Sequence, residues 1–367
     1  MPSASDGTFE HILFYKPTLY EVIARYRAFY AAEGPGHICT FVGLPYLGAE
    51  PLETMPLTAI DWEGERGLED YLDLSMRNMA RIWRAGREVA DDGIPCAYIN
   101  IGIGEYSAYV AGEVVFGEDT SWATPVIATW QDLDRLELRA DNPWVRVLER
   151  AMRYLAARCR PAGIPIVRGY YSPLDLARAL RGDAFFTDLY DAPEQVHRLM
   201  QFCTHATIWL IERLQAIIGE WYEGQVAGAW LPRGTVCMSE DTACLLSPPL
   251  YATFARPYTQ AVIDHFGYGQ VHTHSLGLHV IPEISALRNL LGIQIAEDPN
   301  TPRAFDRLDW LLPRCHGVPL TVSCTLEELR ASLPDLSRRA NIILCPSVQT
   351  LEEGQEAVAL VRQHSYI

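Results

Sequence analysis

Short runs of β-branched and apolar residues alternate along this chain with longer segments whose apolar residues recur every three to four positions. The short runs predict eight strands: ICTFV (38–42), CAYINI (96–101), IPIVRG (164–169), GQVAGAW (224–230), QVHTH (270–274), GIQIA (292–296), PLTVSC (319–324) and NIILC (341–345). The longer segments predict amphipathic helices. They are 17–33, 67–92, 191–218, 249–266, 302–315, 325–333 and 351–364.

Strands that alternate with helices indicate parallel βα units, and a count of eight favours a closed barrel over an open sheet. The prediction is an α/β chain that forms one domain over 1–367, a (β/α)8 TIM barrel. The first strand and an N-terminal helical extension occupy 1–92, and the rest of the barrel occupies 93–367. Because the strands are more widely spaced in the first half, we expect a rim insertion around 102–144. The chemistry of such barrels lies at the C-terminal ends of the strands.

The segment GQVHTHSLGLH (269–279) contains three of the ten histidines of the chain. Alternate side chains of a strand point to the same face, so His272 and His274 are expected to point together. They are candidate metal ligands, and the alternative is a polar contact to a carboxylate or a substrate without metal. His279 follows at a predicted helix start and is expected to be an ordinary polar residue.

Other residues at the predicted strand ends suit binding or acid/base chemistry. Arg168 and Arg233 are candidates to hold a carboxylate or phosphate, with a structural salt bridge as the alternative. Tyr170 and Trp230 are candidate substrate contacts, although large aromatic residues are more often core. Candidates for acid/base work or support of a metal are Asp241, Glu297 and Asp298. The alternatives are a surface turn at Asp241 and a helix cap at Asp298.

The composition excludes several classes of protein. With 46 acidic and 30 basic residues and a formal charge of −16, the chain lacks the basic surface of a nucleic-acid or anionic-membrane binder. Its nine cysteines form no CxxC pair and favour reduced thiols in the cytoplasm. We find no signal peptide, membrane span, dinucleotide loop, phosphate loop or GxSxG motif.

Three longer strings resemble the uroporphyrinogen decarboxylase superfamily, which also contains zinc-dependent methyltransferases that use corrinoid methyl donors. They are YYSPLDLARALRGDAFFTDLYDAPEQVHRLM (170–200), SEDTACLLSPPLYATFARPYTQAVIDHF (239–266) and GEVVFGEDTSWATPVI (112–127). The resemblance spans roughly residues 90–365 and implies a TIM barrel.

True uroporphyrinogen decarboxylases have an arginine-rich motif after an early strand, which pairs with the carboxylates of their substrate. The similar letters WRAGR (83–87) lie here inside a predicted helix, before the second strand. We therefore expect Arg84 and Arg87 on a solvated helix face. This difference makes porphyrinogen decarboxylation the weaker hypothesis.

The resemblance to the methyltransferase branch implies a zinc site. That branch holds zinc with a His-x-Cys pair on one strand and a distant Cys near the last strand, and the matching positions are His272, His274 and Cys345. The chain departs from the pattern at His274, where the family has Cys. Cys324 is the substitute for the third ligand. Three ligands leave the fourth position of a tetrahedral zinc open for a thiol or water.

The leading hypothesis is an enzyme that uses zinc to transfer a methyl group from a methylated corrinoid, or a similar donor, to a thiol-type acceptor. The first alternative is a metal-free carboxy-lyase acting on a porphyrinogen or another small carboxylate, with Arg168 or Arg233 gripping the carboxylate and Asp241 in support. The second is a non-catalytic tetrapyrrole- or corrinoid-binding barrel. The expected partners are a small-molecule substrate, with a corrinoid protein and a homodimer as further candidates.

Overall fold

The computed structural model describes residues 9–64 and 66–367 and contains one seven-stranded sheet, whose paired neighbours are all parallel. The strands of the chain are β1 (Ile38–Thr40), β2 (Val114–Phe116), β3 (Ser121–Ala123), β4 (Tyr170–Tyr171), β5 (Gly224–Ala227), β6 (Ala229–Pro232), β7 (Thr235–Ser239), β8 (Tyr268–His274), β9 (Leu290–Ala296), β10 (Leu320–Thr325) and β11 (Ile342–Ser347). The large sheet has the order β1-β11-β10-β9-β8-β7-β4.

Helices follow most strands and cover the outside of the sheet. They are α1 (Ile12–Tyr15), α2 (Leu19–Ala31), α3 (Gly67–Gly86), α4 (Glu105–Ala108), α5 (Trp130–Leu133), α6 (Pro143–Ala162), α7 (Pro173–Arg181), α8 (Ala184–Asp191), α9 (Pro193–Ile218), α10 (Pro248–Phe254), α11 (Arg256–Phe266), α12 (Ile281–Ile284), α13 (Leu308–Leu311), α14 (Leu326–Arg339) and α15 (Leu351–His364). Short 3-10 turns follow β7 (Asp241–Leu245) and β8 (Ser275–Val280). The predicted helices at 302–315 and 249–266 are each divided, because Pro313 and Pro257 interrupt them.

The segment between β1 and β4 closes the sheet into the predicted barrel. Ala97 forms an isolated parallel bridge with Ile166, just before β4. On the other side, the Asp92 amide donates to the Thr40 carbonyl (2.8 Å), and the Thr40 amide donates to Asp92 Oδ2 (2.8 Å). A carboxylate thus replaces part of a strand ladder at this seam. The fold is the TIM barrel predicted from the alternation of strands and helices.

The predicted fourth strand at 224–230 is wrong. These residues form the antiparallel hairpin β5–β6, which turns at Gly228 (φ +74°), and the fourth strand of the barrel is β7. Both runs are short and apolar, so periodicity could not distinguish them. The Ile94 amide donates to the Gly228 carbonyl (2.7 Å), which ties the hairpin tip to the residues that precede the bridge at Ala97.

The rim insertion predicted around 102–144 is present and contains α4, the β2–β3 hairpin and α5. Gly102 (φ +80°) is required where the insertion begins, because a Cβ there would lie 2.1 Å from the Ser121 amide nitrogen. Ser121 Oγ in turn accepts a hydrogen bond from the Gly104 amide (3.0 Å). These contacts hold the β2–β3 hairpin against α4.

Within the described residues, no helix combines the length and the apolar character needed to cross a bilayer.

Candidate metal centre

β8 places two imidazoles on the inner side of the barrel, as its alternation predicts. Val271 and Thr273 are fully buried on the outer side, while His272 and His274 are half-buried. The two rings lie 5.0 Å apart at 83°, and their Nε2 atoms are 3.3 Å apart. Two ring nitrogens therefore face the same point.

The other nitrogen of each ring already has a partner. His272 Nδ1 faces the side-chain oxygen of Gln294, and His274 Nδ1 lies 2.9 Å from Asp298 Oδ1. An oxygen acceptor at Nδ1 favours the proton there, so both Nε2 atoms have a lone pair available. Two lone pairs 3.3 Å apart repel each other unless a proton or a cation lies between them. Gln294 and Asp298 thus leave both Nε2 atoms available to a cation.

Asp241 supplies a third ligand atom. Its Oδ1 lies 3.6 Å from His272 Nε2 and 3.7 Å from His274 Nε2. This oxygen is buried and has no hydrogen-bond partner, and the three ligand atoms lie within 4.8 Å of one another. Nitrogens bound to tetrahedral zinc at about 2.0–2.1 Å lie about 3.3 Å apart, so the observed spacing fits that ion.

The turn that carries Asp241 is held by a residue that the sequence analysis missed. Asp175 is buried in the first turn of α7 and accepts hydrogen bonds from Ser239 Oγ (2.6 Å), the Asp241 amide (3.0 Å) and the Thr242 amide (2.8 Å). In sequence, Ser172-Pro-Leu-Asp175 is typical of a helix start, so nothing there indicated contact with a segment more than sixty residues away.

Burial and neighbouring charges set the protonation of the cluster. Burial, together with the Asp175 carboxylate, raises the pKa of Asp241 to about 7. Burial lowers the pKa of His272. Burial also acts to raise the pKa of Asp298, but hydrogen bonds from the Leu276 amide and His274 hold it below its usual value. The imidazole of His272 is therefore kept neutral, as a metal ligand must be.

The structure does not place Cys345 with the histidines. Among the described residues, the group of candidate ligand atoms consists of Asp241, His272 and His274. β9 and β10 lie between β8 and β11, so the strands that carry the histidines and Cys345 are not neighbours. Burial, followed by the Asp91 charge, raises the pKa of Cys345 to about 12. Cys324 is buried, and its pKa is also raised to about 12.

Glu297 and Asp298 have different positions although they are adjacent. Asp298 orients His274 and also accepts from the Leu276 amide (2.8 Å). Glu297 accepts from the Ala304 amide (3.3 Å), and burial raises its pKa. Only Asp298 is in contact with a candidate ligand. His279 Nε2 donates to the Leu246 carbonyl (2.9 Å), as expected for an ordinary polar residue.

Arg168 is not free to hold a substrate. Its guanidinium forms a buried ion pair with Glu105 (2.6 Å) and lies over the Tyr106 ring, 4.2 Å from the centroid. Tyr170 is buried and reaches the cavity at the mouth, where Tyr171 stacks on Tyr106 with ring centroids 4.9 Å apart.

Trp230 and Arg233 do not reach the mouth, which corrects their prediction as substrate contacts. Both were placed by the wrong fourth strand, and they flank the start of β7 rather than its end. The Trp230 indole donates to the Tyr222 carbonyl (3.0 Å), and Arg233 forms an exposed ion pair with Glu220 (2.7 Å). The helix-face prediction for Arg84 and Arg87 agrees with their positions on and just after α3, over the Phe14 ring.

A cavity of about 550 Å³ opens at this end of the barrel, and Asp241, His272 and Gln294 form part of its wall. The rim insertion contributes further lining residues, Ile103, Tyr106, Asp119 and Thr120. Two of the candidate ligands, Asp241 and His272, are therefore reachable by a small molecule from the place where TIM barrels carry their chemistry.

Fold and site together define a TIM-barrel protein with a candidate metal centre at the C-terminal ends of its strands. The chain belongs to the uroporphyrinogen decarboxylase family, since the family Uroporphyrinogen decarboxylase (URO-D) matches residues 111–295, half of the chain. This confirms the resemblance seen in the sequence. No curated protein matches the chain.

Among solved structures, the homocysteine methyltransferase MmuM from Escherichia coli, in its oxidized form, is similar over 65% of this chain and 94% of its own. The identity is 15% and the TM-score is 0.24. The assignment of the fold comes from the strand topology and the family match, and this weak likeness adds nothing to it.

Proposed function

We propose that the chain is a metal-dependent enzyme that transfers a methyl group at the mouth of the barrel. Zinc is the proposed metal, a methylated corrinoid or similar molecule the donor, and a thiol-type molecule the acceptor. One observation carries the proposal: His272 Nε2, His274 Nε2 and Asp241 Oδ1 converge, while the remaining ring nitrogens are already hydrogen-bonded. A cytoplasmic location, a homodimer and a corrinoid-protein partner stay predictions.

The residues of the chain have separate tasks in this proposal. His272, His274 and Asp241 hold the ion, and Gln294 and Asp298 keep the two rings in the ligand tautomer. Zinc held by three protein ligands lowers the pKa of a thiol or water at its open position, so that the nucleophilic anion forms at neutral pH.

The change of ligands preserves the charge of the site. The ligand set predicted from the family resemblance contains two histidines and one thiolate, whereas the observed cluster contains two histidines and one carboxylate. Either set has one negative charge, so an acceptor anion at the zinc experiences the same net charge. Asp241 therefore supports the same class of chemistry as the predicted Cys345.

The metal-free decarboxylase is less well supported. Such an enzyme needs a cation beside the substrate carboxylate. Arg168 is paired with Glu105, Arg233 lies away from the mouth, and the described lining of the cavity contains neither lysine nor arginine. A non-catalytic barrel that only binds a tetrapyrrole or corrinoid would differ from the proposed enzyme in showing no turnover.

The metal is tested on protein purified under reducing conditions without a nickel column. We expect one zinc per chain in the wild type, none in Asp241→Ala, and an unchanged amount in Cys345→Ala, which is the matched control. Zinc absent from the wild type would refute the proposal, and loss in Cys345→Ala would refute the assigned ligands.

The reaction is tested with methylcobalamin and a small thiol. Thioether should form at a rate that a chelator abolishes and added zinc restores. Release of carbon dioxide from a porphyrinogen that survives chelation would instead establish the decarboxylase.

A further inference from the structure

The cavity at the mouth has acidic side chains in its lining but no strongly basic ones. Its described lining contains two acidic side chains, Asp119 and Asp241, and no lysine or arginine. The other polar side chains include neutral amides, Asn100, Gln270 and Gln294. A carboxylate or phosphate entering this space would find no countercharge from the described lining.

A cation behind the wall, Arg168, is neutralised. It is buried with Glu105, and its guanidinium lies over the ring of Tyr106, which lines the cavity. Freeing Arg168 for an anion would leave Glu105 as an unpaired buried charge. An unpaired buried charge is strongly unfavourable, so Arg168 is unavailable to an anion.

One part of the wall is aromatic. Tyr106 and Tyr171 stack at an interplanar angle of 29°, and both line the cavity. Stacked rings offer a surface for a flat apolar group, and the negative faces of aromatic rings attract cations. The aromatic wall and the acidic side chains therefore both favour a ligand that is flat and either neutral or cationic over one that is anionic.

We propose that this cavity selects a small molecule without negative charge, such as an alcohol, thiol or amine, whose flat apolar part packs against Tyr106 and Tyr171. The inference rests on the proposed function in that the substrate is the acceptor at the same site. It adds that a polycarboxylate substrate is rejected, and that Asp119 at the rim contributes to the selection.

Matched ligands test the charge preference. Each of three skeletons, benzyl, phenethyl and cyclohexylmethyl, is used as the alcohol, the amine and the corresponding carboxylate. Binding to the full chain is measured by calorimetry on the chain as purified and again after treatment with a chelator, so that the contribution of the cavity lining is separated from that of zinc. We expect the carboxylates to bind at least about tenfold more weakly, the effect of a carboxylate a few ångströms away in a partly hydrated site.

Failure of every alcohol and amine to bind, or a preference for the carboxylates, would overturn the inference. The preference after treatment with the chelator is independent of the metal analysis. A chain that shows this preference but never binds zinc would contradict the proposed function and leave the inference standing.

Two charge reversals locate the selecting residue. Asp119→Lys should strengthen carboxylate binding about fivefold or more, because it places a cation at the rim. Glu118→Lys changes the net charge equally but lies outside the lining, and it should alter binding less than twofold. Equal effects of the two variants would show a general charge effect and contradict the role of Asp119.

Discussion

The barrel contains two clusters of charged and polar side chains that differ in how completely their atoms are hydrogen-bonded. At the seam beside β1, the fully buried Asp92 receives Arg25 Nε (2.9 Å) and Arg362 Nη2 (2.8 Å) on Oδ1, and Arg362 Nη1 (3.0 Å) and the Thr40 amide (2.8 Å) on Oδ2. Both oxygens are occupied.

In the cluster at the mouth, by contrast, several polar atoms lack hydrogen-bond partners. Asp241 Oδ1 is buried without a partner, and the Nε2 atoms of His272 and His274 face each other with lone pairs. Unsatisfied buried polar atoms are costly, so each one in a native protein calls for an explanation such as a bound ion or water. The comparison teaches that the polar atoms of the seam cluster are paired within the protein, whereas the mouth cluster leaves the ligand atoms of the proposed metal site unpaired.

The largest effect is expected at the seam. Asp92→Ala leaves the two arginines without their carboxylate and removes an acceptor from the Thr40 amide, so the free energy of unfolding should fall by about 3–5 kcal/mol. Urea unfolding measures it. A loss below about 1 kcal/mol would mean that the seam does not depend on this residue. The zinc affinity of the folded variant is the control and should stay as in the wild type.

At the mouth we expect a large loss of metal affinity with little change in stability. His272→Ala should reduce zinc affinity at least about 100-fold, equivalent to about 3 kcal/mol, while the stability of the metal-free chain stays within about 1 kcal/mol. Zinc at 100 times the dissociation constant of the wild type should stabilise the wild type by about 2.7 kcal/mol and the variant by less than about 0.5 kcal/mol. A variant that zinc stabilises as much as the wild type would contradict the assignment of His272 as a ligand.

A smaller effect is expected at Asp298, which contacts the candidate ligand His274. Asp298→Asn weakens the acceptor that orients His274, and loss of such a partner typically costs about 10–100-fold in metal affinity. Glu297→Gln is the matched control, because Glu297 contacts the Ala304 amide instead. A competition titration with a zinc chelator compares them, and equal affinities would show that Asp298 does not support the site.

The smallest effect is expected at Arg233. Arg233→Ala removes an exposed ion pair with Glu220, so stability should change by no more than about 0.5 kcal/mol. Zinc content and ligand binding should stay as in the wild type. A measurable loss of either would restore Arg233 to the site and contradict its place at the start of β7.

The sequence predicts most of the architecture, because strand and helix periodicities are local. α9, α15, β8 and β9 lie close to their predicted positions. The exception is informative: 224–230 and β7 are both short apolar runs, and only the pairing with β8 and β4 identifies β7 as the strand of the barrel. The placement of Trp230 and Arg233 failed for that reason alone.

The sequence by itself determined that His272 and His274 point together, because the two-residue period of a strand requires it. It also named Asp241 and Asp298 as candidates for acid/base work or support of a metal, without deciding between these tasks. Only the tertiary structure decided that Asp241 rather than Cys345 meets the histidines, and that Asp175 holds it there. These choices depend on which strands are neighbours and on contacts between segments far apart in the chain, and no local pattern encodes either.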